Sequence, residues 1–251
     1  MRTAVTITVR MKSKRLPGKA MKNLVGKPII EHLIERLKLA KLPDDIILCT
    51  STNPQDDILV EEAKKNNIRW FRGDEVDVLK RLLDAAKKYN LDFIVSTTGD
   101  NPLTDPCYVD KIIEKYKETD ADYITCFDLP LGTFSYGIKV KALEKVVKLK
   151  KERDTEIWGV YFTKSNIFKT EIVDVEKKLR HPEVRLSVDT PEDFRLMEEI
   201  YGRLYEPGEV FELREVIELL ENNPQLIEIN KKVVQKAAPD IDVSELRKWE
   251  N

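Results

Sequence analysis

Residues 92–103 read Asp92-Phe93-Ile94-Val95-Ser96-Thr97-Thr98-Gly99-Asp100-Asn101-Pro102-Leu103. Phe93 to Val95 is apolar without a break, Ser96 to Thr98 keeps the β-forming character, and Gly-Asp-Asn-Pro then stops the run. A short segment apolar on both faces and bounded by turn residues predicts a strand at the centre of a parallel sheet. Upstream, strands are expected at Ala4–Val9, Asp45–Thr50 and Ile68–Phe71. Between them lie helical patterns: from Pro28 through Ala40, from Asn53-Pro54 to Lys65, and from Val76 to Tyr89. Pro28 suits a helix start, and Ile29, Ile30, Leu33, Ile34, Leu37 and Leu39 follow helical spacing.

Downstream, helices are expected at Pro106–Tyr116, Ala142–Leu149, Asp154–Lys164, Pro191–Leu204 and Phe211–Leu220, with a short one near 243–249. Strands are expected at Tyr123–Cys126, Gly137–Val140 and Val184–Val188. This alternation predicts an α/β fold: a mostly parallel mixed sheet flanked by helices on both faces. Ligands of such sheets bind where strands end, so the loops after strands are the places to look for chemistry.

The 251 residues carry 43 Lys and Arg against 45 Asp and Glu, a formal charge of only −2. The near-balance hides an asymmetry. Residues 1–30 hold eight basic residues and no acidic one, leaving 35 basic against 45 acidic, a net of −10, from Glu31 onward. That pattern excludes a uniformly basic surface for wrapping nucleic acid and leaves room for a local anion site. No apolar run reaches the roughly 18 residues of a membrane span, and residues 1–10 read as a first strand rather than a signal peptide. Cys49, Cys107 and Cys126 match no zinc spacing; with no membrane span, a reduced, cytoplasmic protein is expected.

Three loops carry candidate chemistry. After the first strand comes Arg10-Met11-Lys12-Ser13-Lys14-Arg15-Leu16-Pro17-Gly18-Lys19, five cations in ten residues. Guanidinium forks and lysine point charges at the end of a buried strand suit a polyphosphate better than a merely solvated loop. It is not a Walker loop, whose glycine spacing and Lys-Ser/Thr ending are missing. Gly99-Asp100 after the central strand reads equally as a turn or as a Mg²⁺ ligand with room for close backbone approach. In Val184-Arg185-Leu186-Ser187-Val188-Asp189-Thr190-Pro191-Glu192-Asp193, either Asp189 or Thr190 serves as a helix N-cap, with Pro191 in the first turn. If the strand ending at Val188 lies beside the central one, Asp100 and Asp189 share one metal ion. His32 and His181 read as structural, and Trp70, Phe71, Phe93, Trp158, Tyr161 and Phe162 as core. Arg72, Asp77 and Arg81 flank a loop and helix start and belong either to the surface or to the pocket rim.

Taken together, five segments resemble the cytidylyltransferases that make CMP-activated acidic sugars: Val9–Lys19; Gly26-Lys27-Pro28-Ile29-Ile30-Glu31-His32; Arg72-Gly73 with Asp77–Arg81; Thr98–Leu103; and Arg185–Asp193. The resemblance is strongest to the spore-coat-polysaccharide branch, related to CMP-Kdo synthetases and acylneuraminate cytidylyltransferases. It implies a glycosyltransferase-A-like, nucleotide-diphospho-sugar transferase domain over 1–205, with 206–251 as a helical extension packed on it. It also implies Mg²⁺-dependent transfer of CMP from CTP to an acidic-sugar-like acceptor, release of pyrophosphate, and a homodimer. By position, Arg10, Arg15 and Lys19 would hold the triphosphate, with Lys12, Ser13 and Arg81 nearby. Asn23 and Arg72 match nucleotide contacts, and Asp100 and Asp189 would bind Mg²⁺. Arg10, Lys19, Asp100 and Asp189 would carry the catalysis. One departure is Lys139, where an acidic residue is common in a segment expected to touch the acceptor. The alternatives are another nucleotidyltransferase for sugar phosphates, disfavoured because no glycine precedes Gly18, and a nucleotide-binding module without chemistry.

Overall fold

The computed structural model describes residues 1–238 and 240–244. In chain order its elements are β1 (Thr3–Thr8), β2 (Asn23–Leu24), β3 (Lys27–Pro28), α1 (Ile29–Leu37), β4 (Asp45–Ser51), α2 (Asp57–Lys65), β5 (Arg69–Gly73), α3 (Val78–Lys88) and β6 (Phe93–Thr98). Then follow α4 (Pro106–Thr119), β7 (Tyr123–Thr125), β8 (Tyr136–Lys139), α5 (Val140–Leu149), α6 (Val160–Thr163), β9 (Thr170–Ile172), α7 (Pro191–Leu204) and α8 (Leu213–Asn222). Seven strands form one sheet in the order β5-β4-β1-β6-β8-β7-β9. β8 alone runs antiparallel, to both β6 and β7. β2 and β3 form a separate small hairpin inside the long loop after β1.

The centre of the sheet is dictated by residues apolar on both faces. Every residue of β1 is buried, and its register with β6 runs from Thr3 opposite Phe93 to Thr8 opposite Thr98. α1 lays Ile29, Ile30, Leu33, Ile34 and Leu37 onto one face with no exposure. α3 covers the other face through Leu79, Leu82, Ala85 and Ala86. Among the described residues no helix is long and apolar enough to cross a membrane. Helix α8 packs its Leu213, Val216, Ile217 and Leu220 into the same apolar cluster as β1 and α1.

Two sequence expectations are corrected, and a third lies almost wholly outside the described residues. Residues 184–188 form no sheet strand; they make a single bridge, Arg185 with Leu131. The helix expected over Asp154–Lys164 shrinks to Val160–Thr163. Its first residues are pulled inward instead: Thr155, 1% exposed, donates to Asp77 Oδ1 at 2.9 Å and accepts from the Leu79 amide at 3.0 Å. The third is the helix expected at 243–249.

The antiparallel strand demands a glycine. A Cβ on Gly137 would lie 2.5 Å from both Ile112 Cγ2 and Phe93 Cζ, where α4 presses onto the sheet. Phe93 cannot yield easily, because its ring stacks on Tyr116 with centroids 3.9 Å apart. Gly137→Ala is therefore expected to destabilise the fold by about 1–3 kcal/mol through overpacking, measured by urea unfolding.

Candidate active site

Two parallel neighbours end side by side, so the loops they feed must meet. After β1 the chain is tied down by the Met11 amide donating to Asp56 Oδ1 at 2.7 Å, and closed by the Gly18 amide donating to the Met11 carbonyl at 3.3 Å. Gly18 has φ +66°, a left-handed turn that sends Lys19 back toward the strand ends. After β6 the Gly99 amide donates to the Thr8 carbonyl at 2.9 Å. A Cβ on Gly99 would sit 2.7 Å from Val9 Cβ, so only glycine lets the two loops approach this closely. The segment 184–189 arrives without being a strand: the Val188 amide donates to the Asp100 carbonyl at 2.9 Å. Thr190 is the N-cap of α7, in a reciprocal capping box with Asp193, which leaves the Asp189 side chain free of capping duty.

These three loops place Asp100 and Asp189 around one ammonium. Lys19 Nζ pairs with Asp100 Oδ2 and, at 2.8 Å, with Asp189 Oδ1. The other oxygen of each carboxylate has its own partner: Thr98 Oγ1 donates to Asp100 Oδ1 at 2.5 Å, and Arg185 Nη2 reaches Asp189 Oδ2 at 2.7 Å. Arg15 adds a contact of 3.0 Å to Asp189 Oδ1. Behind Asp189, Asp193 is fully buried and accepts from Arg185 Nε at 2.8 Å, Asn230 Nδ2 at 2.9 Å and the Asp189 amide at 2.9 Å. Burial works against charge on Lys19, but the charges of Asp100 and Asp189 outweigh it and raise the ammonium's pKa. For Asp189 burial pushes upward and is outweighed by Lys19, then Arg15 and Arg185, so its carboxyl titrates below the usual range.

Two cavities meet here, sharing Thr98, Asp100 and Glu156. The smaller, of about 110 Å³, is lined by Arg10, Lys12, Lys19 and Arg81. Arg81 is 1% exposed and, among the described residues, pairs with no carboxylate. Its Nη1 donates to the Asp74 carbonyl at 2.5 Å, while Nε has no partner. Burial, with Arg10 adding to it, lowers its pKa from the ordinary guanidinium value, a group that nonetheless stays charged. A buried cation without an ion-pair partner, in a cavity with other cations, suits an anion.

The larger cavity, about 360 Å³, has Arg15, Asp100 and Asp189 among its walls and aromatic rings opposite in character. Phe134, Tyr136 and Trp158 stand edge to face, with centroids 5.5 Å apart for the first pair and 5.2 Å for the second. Tyr123, stacked on Phe162 at 5.2 Å, also lines it, and its hydroxyl is buried without a partner. Trp158 thus serves the cavity as well as the core. Sequence alone did not single out Tyr123 or Glu156, and pointed to Phe134 and Tyr136 only because Lys139 lies in a segment, near 133–140, expected to touch the acceptor.

Other candidates lie elsewhere. Ser13 accepts from the Leu16 amide at 3.3 Å, and Asn23 accepts from the Gly26 amide at 2.9 Å in the β2–β3 turn. Arg72 turns to Asp57 at 2.5 Å and to the carbonyls of Ser51 and Asn53. None of the three lines either cavity. Lys139 pairs with Asp120 at 2.6 Å and lies opposite Phe93, at the far end of β6 from Asp100. Its departure from the acidic pattern therefore falls on the edge of the sheet away from both cavities. His32 is buried against Tyr201 and Tyr205, with Nε2 2.7 Å from the Leu24 carbonyl oxygen. Among the described residues no three His, Cys, Asp or Glu side chains gather to hold a metal. Asp100 and Asp189 do suit Mg²⁺, which takes one or two carboxylates and completes its shell with water and phosphate. The two oxygens already converge on a cation, Lys19.

The family model for cytidylyltransferases matches residues 4–233. The chain belongs to the cytidylyltransferase family. It is 35% identical over 240 residues to an uncharacterized protein of Methanocaldococcus jannaschii, covering 94% of this chain and 97% of that one. It is 29% identical over 225 residues to the spore coat polysaccharide biosynthesis protein SpsF of Bacillus subtilis, covering 87% and 93%. A solved cytidylyltransferase from Leptospira borgpetersenii superposes with a TM-score of 0.82 at 29% identity, covering 94% of this chain and 100% of that one. The mostly parallel, helix-flanked sheet is thus that of the nucleotide-diphospho-sugar transferases.

The pH dependence of this cytidylyltransferase follows from the two shifts. Asp189, with its carboxyl depressed, contributes stability that is full above the unfolded value of about 3.9 and is lost as pH falls through the lower folded value. Lys19, raised, contributes stability that is full below about 10.4 and is lost as pH rises through its folded value. In urea unfolding, Asp189→Asn should be less stable than wild type at pH 7, and the gap should close as the pH falls from the ordinary carboxylate range through the depressed folded value.

Proposed function

We propose that this enzyme transfers CMP from CTP to a hydroxyl of an acidic sugar or a related acceptor, with Mg²⁺ and release of pyrophosphate. The family already establishes a cytidylyltransferase, and relatives named for polysaccharide biosynthesis and for 3-deoxy-manno-octulosonate support a sugar acceptor. The observation that carries the finer reading is the buried Arg81, paired with no carboxylate among the described residues, beside Arg10, Lys12 and Lys19 in a cavity that meets the aromatic one at Asp100. A triphosphate laid in the basic cavity would present its α-phosphorus near the shared residues Thr98 and Asp100. An acceptor in the aromatic cavity would approach from the other side. Sugar rings offer C–H faces to Tyr136 and Trp158, and Arg15 and Lys236 at the rim suit a carboxylate.

The chemistry proposed is an in-line attack of the acceptor hydroxyl on the α-phosphorus. Arg10, Lys12, Lys19 and Arg81 bind the departing phosphates and neutralise the charge that grows on them. Asp100 and Asp189 would hold the Mg²⁺, which when bound supplies Lewis-acid stabilisation of phosphoryl oxygens. The aromatic rings orient the acceptor and exclude water that would compete as nucleophile. Positioning and electrostatics supply most of the acceleration in such transfers, so no strong base is required. The family resemblance further suggests that it works as a cytoplasmic homodimer.

A pyrophosphate-release screen of all four nucleoside triphosphates against a panel of acidic sugars tests the reading. Signal is expected with CTP; preference for another nucleotide would overturn the choice of base. Asp100→Ala should lose at least 100-fold in turnover, and Arg81→Met should raise the KM for CTP about tenfold or more. Trp158→Ala should raise the acceptor KM and leave that of CTP nearly unchanged.

A further inference from the structure

The carboxylates of Asp100 and Asp189 are each half-committed. Asp100 Oδ1 is held by Thr98 and Asp189 Oδ2 by Arg185, while the remaining oxygens, Asp100 Oδ2 and Asp189 Oδ1, both turn to Lys19 Nζ. With Arg15 on Asp189 and Arg185 also gripping Asp193, three cations face three carboxylates. The cluster is electrically balanced without any added ion. Lys19, whose side chain is only 16% exposed, also lines the basic cavity.

From this we infer that Lys19 is an internal counter-ion that holds the place of the divalent metal, so that metal enters only as nucleotide draws the ammonium away. The inference rests on the proposed metal–nucleotide reading and adds an order to it. A divalent ion meeting the free enzyme finds both of its prospective oxygens taken by a tethered ammonium and no net negative charge to attract it. A triphosphate in the adjoining cavity changes both terms. It offers Lys19 a denser anion within reach of its flexible stem, and it brings negative charge of its own. Asp100 Oδ2 and Asp189 Oδ1 are then released together. Thr98 and Arg185 meanwhile keep the two carboxylates facing the same point, so little reorganisation is needed. In the free enzyme the same ammonium offsets the repulsion between the two partly buried carboxylates.

The test reads metal binding, not turnover. Mn²⁺ affinity is measured by electron paramagnetic resonance on the full chain without nucleotide, for wild type and for Lys19→Met. Wild type should bind Mn²⁺ weakly, and Lys19→Met at least tenfold more tightly, with a melting temperature that Mn²⁺ raises in the variant and not in wild type. Adding Asp100→Asn to Lys19→Met should abolish the gain. Lys19→Gln, which can still donate to one carboxylate, replaces the Met variant if that chain does not fold. Equal or weaker Mn²⁺ binding by the Lys19 variants, or a gain that survives Asp100→Asn, would overturn the exchange. Failure of the underlying reading looks different: no CTP binding by wild type in the presence of Mn²⁺.

Discussion

The parallel pairing of β1 with β6 is the constraint from which the rest follows. Because Thr8 lies opposite Thr98, the chain leaves both strands at one edge, and the basic loop is delivered beside Gly99-Asp100. An antiparallel pairing of the same strands would put Arg10–Lys19 and Asp100 at opposite edges of the sheet. The missing Cβ of Gly99 then sets how closely the loops approach, since Val9 fills the space a side chain would take. Fold and site are therefore joined by backbone geometry before any charged side chain is considered.

The charge asymmetry of the chain gains a physical meaning from that geometry. Of the eight cations in the first thirty residues, Arg10, Lys12, Arg15 and Lys19 are led by β1 to the walls of two cavities, while Arg2 and Lys27 pair with Asp45 and Glu35. Elsewhere many charges meet in exposed helical pairs such as Lys64–Glu61 and Lys80–Asp84. Surface pairs of that kind contribute about 0–1 kcal/mol each. Lys19 with Asp100 and Asp189, and Arg185 with Asp193, are mostly buried, and removing one partner there costs on the order of 3–5 kcal/mol. In a chain that is 35% charged, few of the charges decide anything, and those few surround the strand ends.

The strands and most helices were legible because burial on both sheet faces leaves unbroken apolar runs, and amphipathic helices leave a period. Legibility failed where tertiary contacts replaced local ones. Residues 154–159 have helical composition, yet Thr155 is taken by Asp77 and the Leu79 amide, and Trp158 turns to the cavity. Residues 184–188 have strand composition, yet only Arg185 bridges, because the segment is held to the sheet by the Leu131 backbone and the Asp100 carbonyl. The two aspartates drew notice as Gly-Asp after a strand and Asp-Thr-Pro before a helix, patterns that alone left a turn or a helix cap as open as a ligand. What set Arg81 apart from Arg72 was not readable: both follow β4 in similar company, but one lines the basic cavity and the other ties down the Ser51–Asn53 loop.

The polar stretch after α8 proves harder to dismiss than its composition suggests. Asn230, 3% exposed, donates to both Asp193 Oδ1 and the Arg185 carbonyl, and Gln235 accepts from Arg185 Nη1. Lys236 pairs with Glu156 at 2.6 Å, and all three of Glu156, Gln235 and Lys236 line the aromatic cavity. The orientation of Asp189 thus depends on Arg185, that of Arg185 on Asp193, and that of Asp193 on an asparagine near the end of the described chain. Such a relay is stable only when each buried polar group is satisfied, because a half-satisfied network costs more than an apolar replacement. The C-terminal segment therefore belongs to the site on two counts: it supplies wall to the aromatic cavity, and it completes the hydrogen bonding behind one of the two carboxylates.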